Sequence, residues 1–228
     1  MSERSDRMGA PDLRNNLLSA RAVAEAFRRA LEAQQPLSLV SLGTGEIIFL
    51  AYPTIPGFEV LPPSPSGIDP YRKYITDPAI RNEILEEVLH ADIVGMPAPL
   101  YNGNWPEAQG FVEYYSIPTR RICDGYIGRH LHSDGGLYEN LQGKRVYLIG
   151  NHVLNLQSIF AQYQIQLAGH TEVDFFADLP RVKDCVNKAQ FDLAIISAGI
   201  PSLILAPWIA RTLGRCALDF GCAVHYLS

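Results

Sequence analysis

Three features predict an α/β fold, a single Rossmann-like domain with a mainly parallel sheet flanked by helices. Apolar runs of strand length alternate with amphipathic helical patterns, the mark of right-handed βαβ units. Runs such as Leu193-Ala194-Ile195-Ile196 show no polar alternation, as strands covered on both faces require. Gly43, Gly150 and Gly199 close three such runs, where the chain must turn. The 228 residues suit one domain with a sizeable core, and no repeat, low-complexity tract or linker divides them. Residues 1–12 read as a polar lead-in and 13–228 as the domain.

Leu13, Leu17, Ala20, Val23, Phe27 and Leu31 recur at helical spacing with arginines and glutamates between them, and the helix ends before Pro36. Leu37–Leu42 reads as a strand, Gly43-Thr44-Gly45 as a turn, and Glu46–Ala51 as a helix that Pro53 ends. Six of the sixteen prolines lie between Pro53 and Pro70, which predicts a long semi-rigid loop. A second amphipathic helix carries Ile80, Ile84, Leu85, Val88 and Leu89, and Ala91–Met96 follows as a strand. A short helix is expected over about 106–115, while the four glycines of 124–136 leave that stretch without an assignment. Strands are predicted at 144–150, 172–176, 191–199 and 215–220. The helices between them are predicted at about 154–167, after Pro180, and at about 201–213.

Composition removes several function classes. At 47% hydrophobic and 19% charged residues, the chain is not of disordered type. Its net charge of -5 argues against a general nucleic-acid binder. No run approaches the roughly 18 apolar residues of a membrane span, and the polar amino terminus lacks a signal-peptide core. Four cysteines without a C-x-x-C motif read as reduced thiols of a cytoplasmic protein, with a Cys216–Cys222 bridge as the lesser alternative.

In parallel sheets ligands sit beyond the carboxyl ends of the strands, so the residues there are the candidates. Gly43-Thr44-Gly45-Glu46 joins a strand to a helix start. It reads either as a tight turn with a dipole-matched glutamate or as a cradle whose backbone N–H groups meet a phosphate. It is neither G-x-G-x-x-G nor a P-loop. Ser197-Ala198-Gly199 admits a nucleotide or merely packs a strand against a helix. Asn151 and His152 offer an amide and an imidazole, either to a ligand or to a loop cap. Asp219, inside Ala217-Leu218-Asp219-Phe220, needs a partner if buried: a metal, a proton to transfer, or backbone donors. His130, His132 and Asp134 have metal-like spacing only in an extended segment, because i,i+2 side chains on a helix diverge. Asp124 is a lesser candidate for sugar or metal contact. Tyr101, Asn102, Asn104 and Trp105 suit either a sugar platform or a core.

The segment LSLVSLGTGE (37–46) resembles the opening signature of glycosyltransferases of the GT-D fold, in which a strand ends in an Arg-Phe/Leu-Gly-Asp-Gly-Glu type motif. GKRVYLIGN (143–151), FDLAIISAG (191–199) and GRCALDFGCAV (214–224) resemble later segments of the same family, so the likeness spans about 13–227. The resemblance implies transfer of a sugar from a nucleoside-diphosphate sugar to a hydroxyl of a glycan or protein acceptor. It implies catalytic roles for Glu46 and Asp219, with Glu46 as base or as ligand of a divalent metal, Mn²⁺ or Mg²⁺. Gly43, Thr44, Gly45, Asn151, Ser197 and Gly199 would contact the nucleotide sugar. The chain departs from the pattern where Thr44 replaces the first Asp of Asp-x-Glu, Ser41 an Arg, and Cys222 the closing His. A neutral Thr is a poor ligand for a hard cation, which opens the alternative of a non-catalytic nucleotide-sugar-binding module on the same fold. A homo-oligomer is compatible with the sequence.

Overall fold

The computed structural model of the protein describes residues 17–51, 54–55, 77–97, 105–133, 136–174 and 176–226. The apolar runs become the strands β1 (Leu37–Ser41), β2 (Ile93–Met96), β3 (Ile122–Asp124), β4 (Arg145–Ile149), β5 (Gln166–Thr171), β6 (Leu193–Ile196) and β7 (Cys216–Asp219). They form one seven-stranded sheet in the order β3-β2-β1-β7-β6-β4-β5, and every pairing is parallel. β2, β6 and β7 are buried at every residue, which is why their sequences show no polar alternation.

Local chemistry starts and stops the helices. α1 (Ala20–Ala33) opens where the Ser19 hydroxyl accepts a hydrogen bond from Ala22 N at 3.2 Å, and closes at Gln34 in the left-handed region. Its Val23, Phe27 and Leu31 are buried, while Arg28 pairs with Glu25 and Glu32 on the wet side. α2 (Thr44–Ala51) follows β1 directly. α3 (Pro78–His90) begins with proline at its first turn and an Asp77 cap on Ala79 N at 2.9 Å. Further along are α4 (Trp105–Tyr114), α5 (Ile127–Ser133), α6 (Gly136–Asn140), α7 (Gln157–Gln162), α8 (Leu179–Lys188) and α9 (Ile200–Leu213).

Two buried clusters lie on the sheet's two faces. One gathers side chains of α2, α3, α4, α8 and α9. The other gathers α1, α5, α6, α7 and the 3₁₀ turn Gly221–Tyr226. The chain therefore leaves β1 toward the first face, through α2, and leaves the neighbouring β7 toward the second, through that turn. Where adjacent parallel strands send their connections to opposite faces, a crevice opens beyond their carboxyl ends. In this sheet the adjacent β6 and β4 send α9 and α7 to opposite faces. The turn after β7 departs to the second face between β1 and β6, whose helices take the first, so the strand ends from β1 to β4 are the place to look.

Several expectations are corrected. The strand predicted at 172–176 is not formed; the edge strand is β5, and the helix predicted over 154–167 stops at Gln162. Leu167, the last apolar residue of that helical pattern, faces neighbours from β5 instead, because pairing with β4 overrides local periodicity. The unassigned 124–136 stretch contains the end of β3, all of α5 and the first residue of α6. Pro53 and most of the proline-rich segment to Pro70, together with Tyr101, Asn102, Asn104 and Asp134, lie outside the described residues. Trp105 begins α4.

Candidate active site

Beyond β1 the chain turns at Gly43 and enters α2 at Thr44, so Thr44 and Gly45 belong to the helix's first turn rather than to a loop. Glu46 folds back on this turn, and its Oε2 accepts a hydrogen bond from Gly43 N at 3.1 Å. A Cβ on residue 43 would stand 2.6 Å from that oxygen, so a larger residue there would displace the Glu46 carboxylate. The carboxylate thus occupies the positive end of its own helix, and one N–H group of the expected phosphate cradle is already engaged. Burial nevertheless pushes Glu46 above the usual carboxylate range, with the Gly43 and Glu46 backbone donors opposing the shift. The Thr44 hydroxyl oxygen is shielded from water and has no hydrogen-bond partner among the described residues.

Asp219, at the end of β7, is 3% exposed. Its Oδ2 accepts from Ser41 N and its Oδ1 from Gly221 N, each at 3.0 Å. The carboxylate therefore ties the ends of β1 and β7 together. Of the three partners the sequence allowed, backbone donors are the ones it has. Burial pushes it up to about 7, and the nearby Glu46 charge adds to the shift against the hydrogen bonds that lower it. No cation contributes to either carboxyl group's surroundings among the described residues.

Beyond β6, the Ser197 hydroxyl donates to Gly221 O at 2.6 Å. Gly199, with φ at +63°, opens α9. In the first turn of that helix the fully buried Ser202 accepts from Ala198 N at 3.1 Å, and its hydroxyl also bears on Asp219. Gly43, Thr44, Gly45, Glu46, Asp219, Ser197 and Gly199 thus stand on three neighbouring strand ends, β1, β7 and β6. Asn151 stands one strand further out, after β4. Its Oδ1 accepts from Val173 N at 3.0 Å and its Nδ2 donates to Asp174 at 2.8 Å, which braces the loop after β5.

Other sequence candidates are dispersed. His130 and His132 lie on α5 and diverge, His130 toward Asp124 at 3.6 Å and His132 toward the Tyr138 hydroxyl at 2.9 Å. Asp124 also accepts from Tyr126 N at 2.7 Å. Cys216 opens β7 and Cys222 lies past its end; both are free thiols, so no bridge joins them. Among the described residues no three His, Cys, Asp or Glu side chains converge as a metal site would require. A cavity of about 870 Å³ lies elsewhere, between the start of α1 and α6, and holds none of the predicted site residues. Two residues near the crevice escape sequence reasoning. Ser202 shows only as a small residue in an apolar helix, and Arg129 falls within the glycine-rich stretch left unassigned.

A family model described as a GT-D fold-like domain matches residues 18–227. A solved structure reported as showing that the highly conserved domain of unknown function 1792 has a distinct glycosyltransferase fold superposes with a TM-score of 0.55 at 13% identity. A selenomethionine-substituted structure of domain of unknown function 1792 gives a TM-score of 0.50 at 15% identity. Each alignment covers 92% of this chain and 81% of the other. No curated protein matches the sequence significantly.

Proposed function

The chain belongs to the family of GT-D fold-like domains, and from that premise we propose that it transfers a sugar from a nucleoside-diphosphate sugar to an acceptor hydroxyl. One observation carries the reading: two carboxyl groups, Glu46 and Asp219, both held above their ordinary range, meet at the carboxyl-end crevice of a parallel sheet. Carboxyl groups tuned upward in this way suit proton transfer near neutral pH.

Glu46 is the base in this reading. Its Oε2 accepts from Gly43 N, whereas both Asp219 oxygens are engaged by backbone donors. As the acceptor oxygen bonds to the anomeric carbon, Glu46 takes its proton. The bond from that carbon to the diphosphate oxygen breaks, and the nucleoside diphosphate leaves with the electron pair. Asp219 positions the β1 and β7 ends around the reacting centre. First-turn N–H groups of α2 and the unpartnered Thr44 hydroxyl meet part of the leaving group's charge. Ser197 and Gly199 line the nucleotide, and Asn151 braces the rim beside them.

The donors among the described residues do not fit the divalent cation that the family motif implies. Thr44 is neutral, the Asp219 oxygens are already hydrogen-bonded, and no third ligand converges. Glu46→Gln keeps the side chain's size and should lower transfer from UDP- or GDP-sugars by about 10²–10⁴-fold. Wild-type turnover in that variant would remove the proposed base. A second reading, a nucleotide-sugar-binding module without turnover, is favoured by Ser41, Thr44 and Cys222 standing where the family carries Arg, Asp and His. It predicts donor binding with no release of nucleoside diphosphate.

A further inference from the structure

We propose that Arg129 is the fixed cation that receives the diphosphate of the donor, taking the place of a divalent metal ion; the inference rests on the nucleotide-sugar reading of the crevice. Arg129 lies on α5, which follows β3 but packs against the 3₁₀ turn that follows β7. The approach is close. A Cβ on Gly128 would stand 2.2 Å from Phe220 O, so only glycine lets the helix backbone reach that turn. Arg129 thereby arrives at Cys222, three residues beyond Asp219, on the second face of the crevice.

The guanidinium there is held but not neutralised. Its Cζ lies 3.8 Å from the Tyr226 ring centroid and 5.0 Å from that of Tyr126. Nη2 donates to Cys222 Sγ at 3.4 Å, and Nε is shielded from water without a partner among the described residues. Sulfur is a weak acceptor, so the fork keeps donor capacity for an arriving anion. Among the described residues no carboxylate pairs with Arg129, whereas Arg28, Arg145, Arg181 and Arg211 all end on Glu or Asp. Two tyrosine faces hold the planar fork in place, so little side-chain freedom is lost when it binds. A fork held this way suits the paired oxygens of a diphosphate. It also supplies local positive charge in a chain whose net charge is -5.

The test is calorimetric titration of the full chain with UDP, GDP and inorganic pyrophosphate in the presence of EDTA, with uridine as the control lacking phosphate. The wild type should bind the diphosphates without metal. Arg129→Gln should weaken that binding by about tenfold to a hundredfold. Arg129→Lys, which keeps the charge and loses the fork, should fall between them, and uridine binding should not change. Thermal melts of both variants establish that they fold; if Arg129→Gln does not, Arg129→Lys decides alone. Equal affinity in wild type and the folded variants, diphosphate binding that EDTA abolishes, or no binding of any probe by wild type would overturn the proposal. Arg129-dependent diphosphate binding without any sugar transfer would instead sink the transferase reading and leave this one standing. Turnover and donor affinity that survive Arg129→Gln unchanged would sink this one alone.

Discussion

The two ends of the sheet handle charge in opposite ways. At the amino end, Asp192 precedes β6 and accepts from Arg145 N at the start of β4 at 2.8 Å, while Arg145 Nη2 donates to its other oxygen at 2.8 Å. The guanidinium holds Asp192 below the usual carboxylate range. At the carboxyl end, Asp219 makes the same kind of strand-to-strand bond, to Ser41 N, but meets no cation among the described residues and is pushed up to about 7. Glu46 beside it is likewise raised, and Arg129 lies past the same strand end without a carboxylate among the described residues. Opposite charges cancel where the sheet needs only to hold together. They are kept apart where a charged ligand is expected, as a site poised for an anion and a proton requires.

The contrast is broken most severely at Asp219. Asp219→Ala leaves Ser41 N and Gly221 N without acceptors in a region almost closed to water. Each unsatisfied buried donor costs about 1–3 kcal/mol, so the loss should be about 2–5 kcal/mol in urea unfolding. A loss under about 0.5 kcal/mol would mean that the carboxylate does not tie β1 to β7. Asp219→Asn keeps one acceptor oxygen and should lose less.

The pH dependence sharpens the same contrast. Because Asp219 is raised from 3.8 to about 7 on folding, the native state binds its proton more tightly than the unfolded state. The stability this provides is full below about pH 4 and lost as pH rises through about 7, on the order of a few kcal/mol. Glu46, also raised, acts with the same sign. Melting temperature should therefore fall between pH 5 and 8, and Asp219→Asn should flatten much of that slope. A wild-type profile that is flat or rises over this window would contradict the raised carboxyl group.

Much of this architecture is legible in the sequence, and what is not has physical causes. The apolar runs of β4, β6 and β7 announce strands covered on both faces, and the residues just past β1, β6 and β7 stand on neighbouring strand ends. β5 is missed because Gln166–Thr171 at the sheet edge has little apolar signature, while the helical spacing before it runs on through Leu167. α5 is hidden because glycines that weaken a helix locally serve packing here. Gly128 is required by the contact with Phe220, and the same contact delivers Arg129 to the crevice. No spacing rule in one sequence foretells an arginine that follows β3 yet acts beyond β7. The diverging histidines of α5 show the converse, since a metal-like spacing loses its meaning once the segment proves helical.

The smallest effect belongs to the neutralised end. The Arg145 and Asp192 side chains are 46% and 31% exposed, so solvent screens their attraction and it should contribute no more than about 1 kcal/mol. Asp192→Asn keeps an oxygen for Arg145 N and removes the charge together with the exposed acceptor of Arg145 Nη2, so the loss in urea unfolding at pH 7 should stay within that figure. Its sign with pH is the reverse of Asp219's. Asp192 is lowered on folding, so its contribution is present above the unfolded value near 3.8 and disappears as pH falls through the lower folded one. The wild type and Asp192→Asn should therefore converge in stability as pH falls well below 3.8 and run parallel from pH 5 to 8, where Asp219→Asn departs from both. If Asp192→Asn instead changed the slope between pH 5 and 8, the two ends of the sheet would not be electrostatically separate. The placement of unneutralised charge at the carboxyl end would then lose its meaning as a mark of the site.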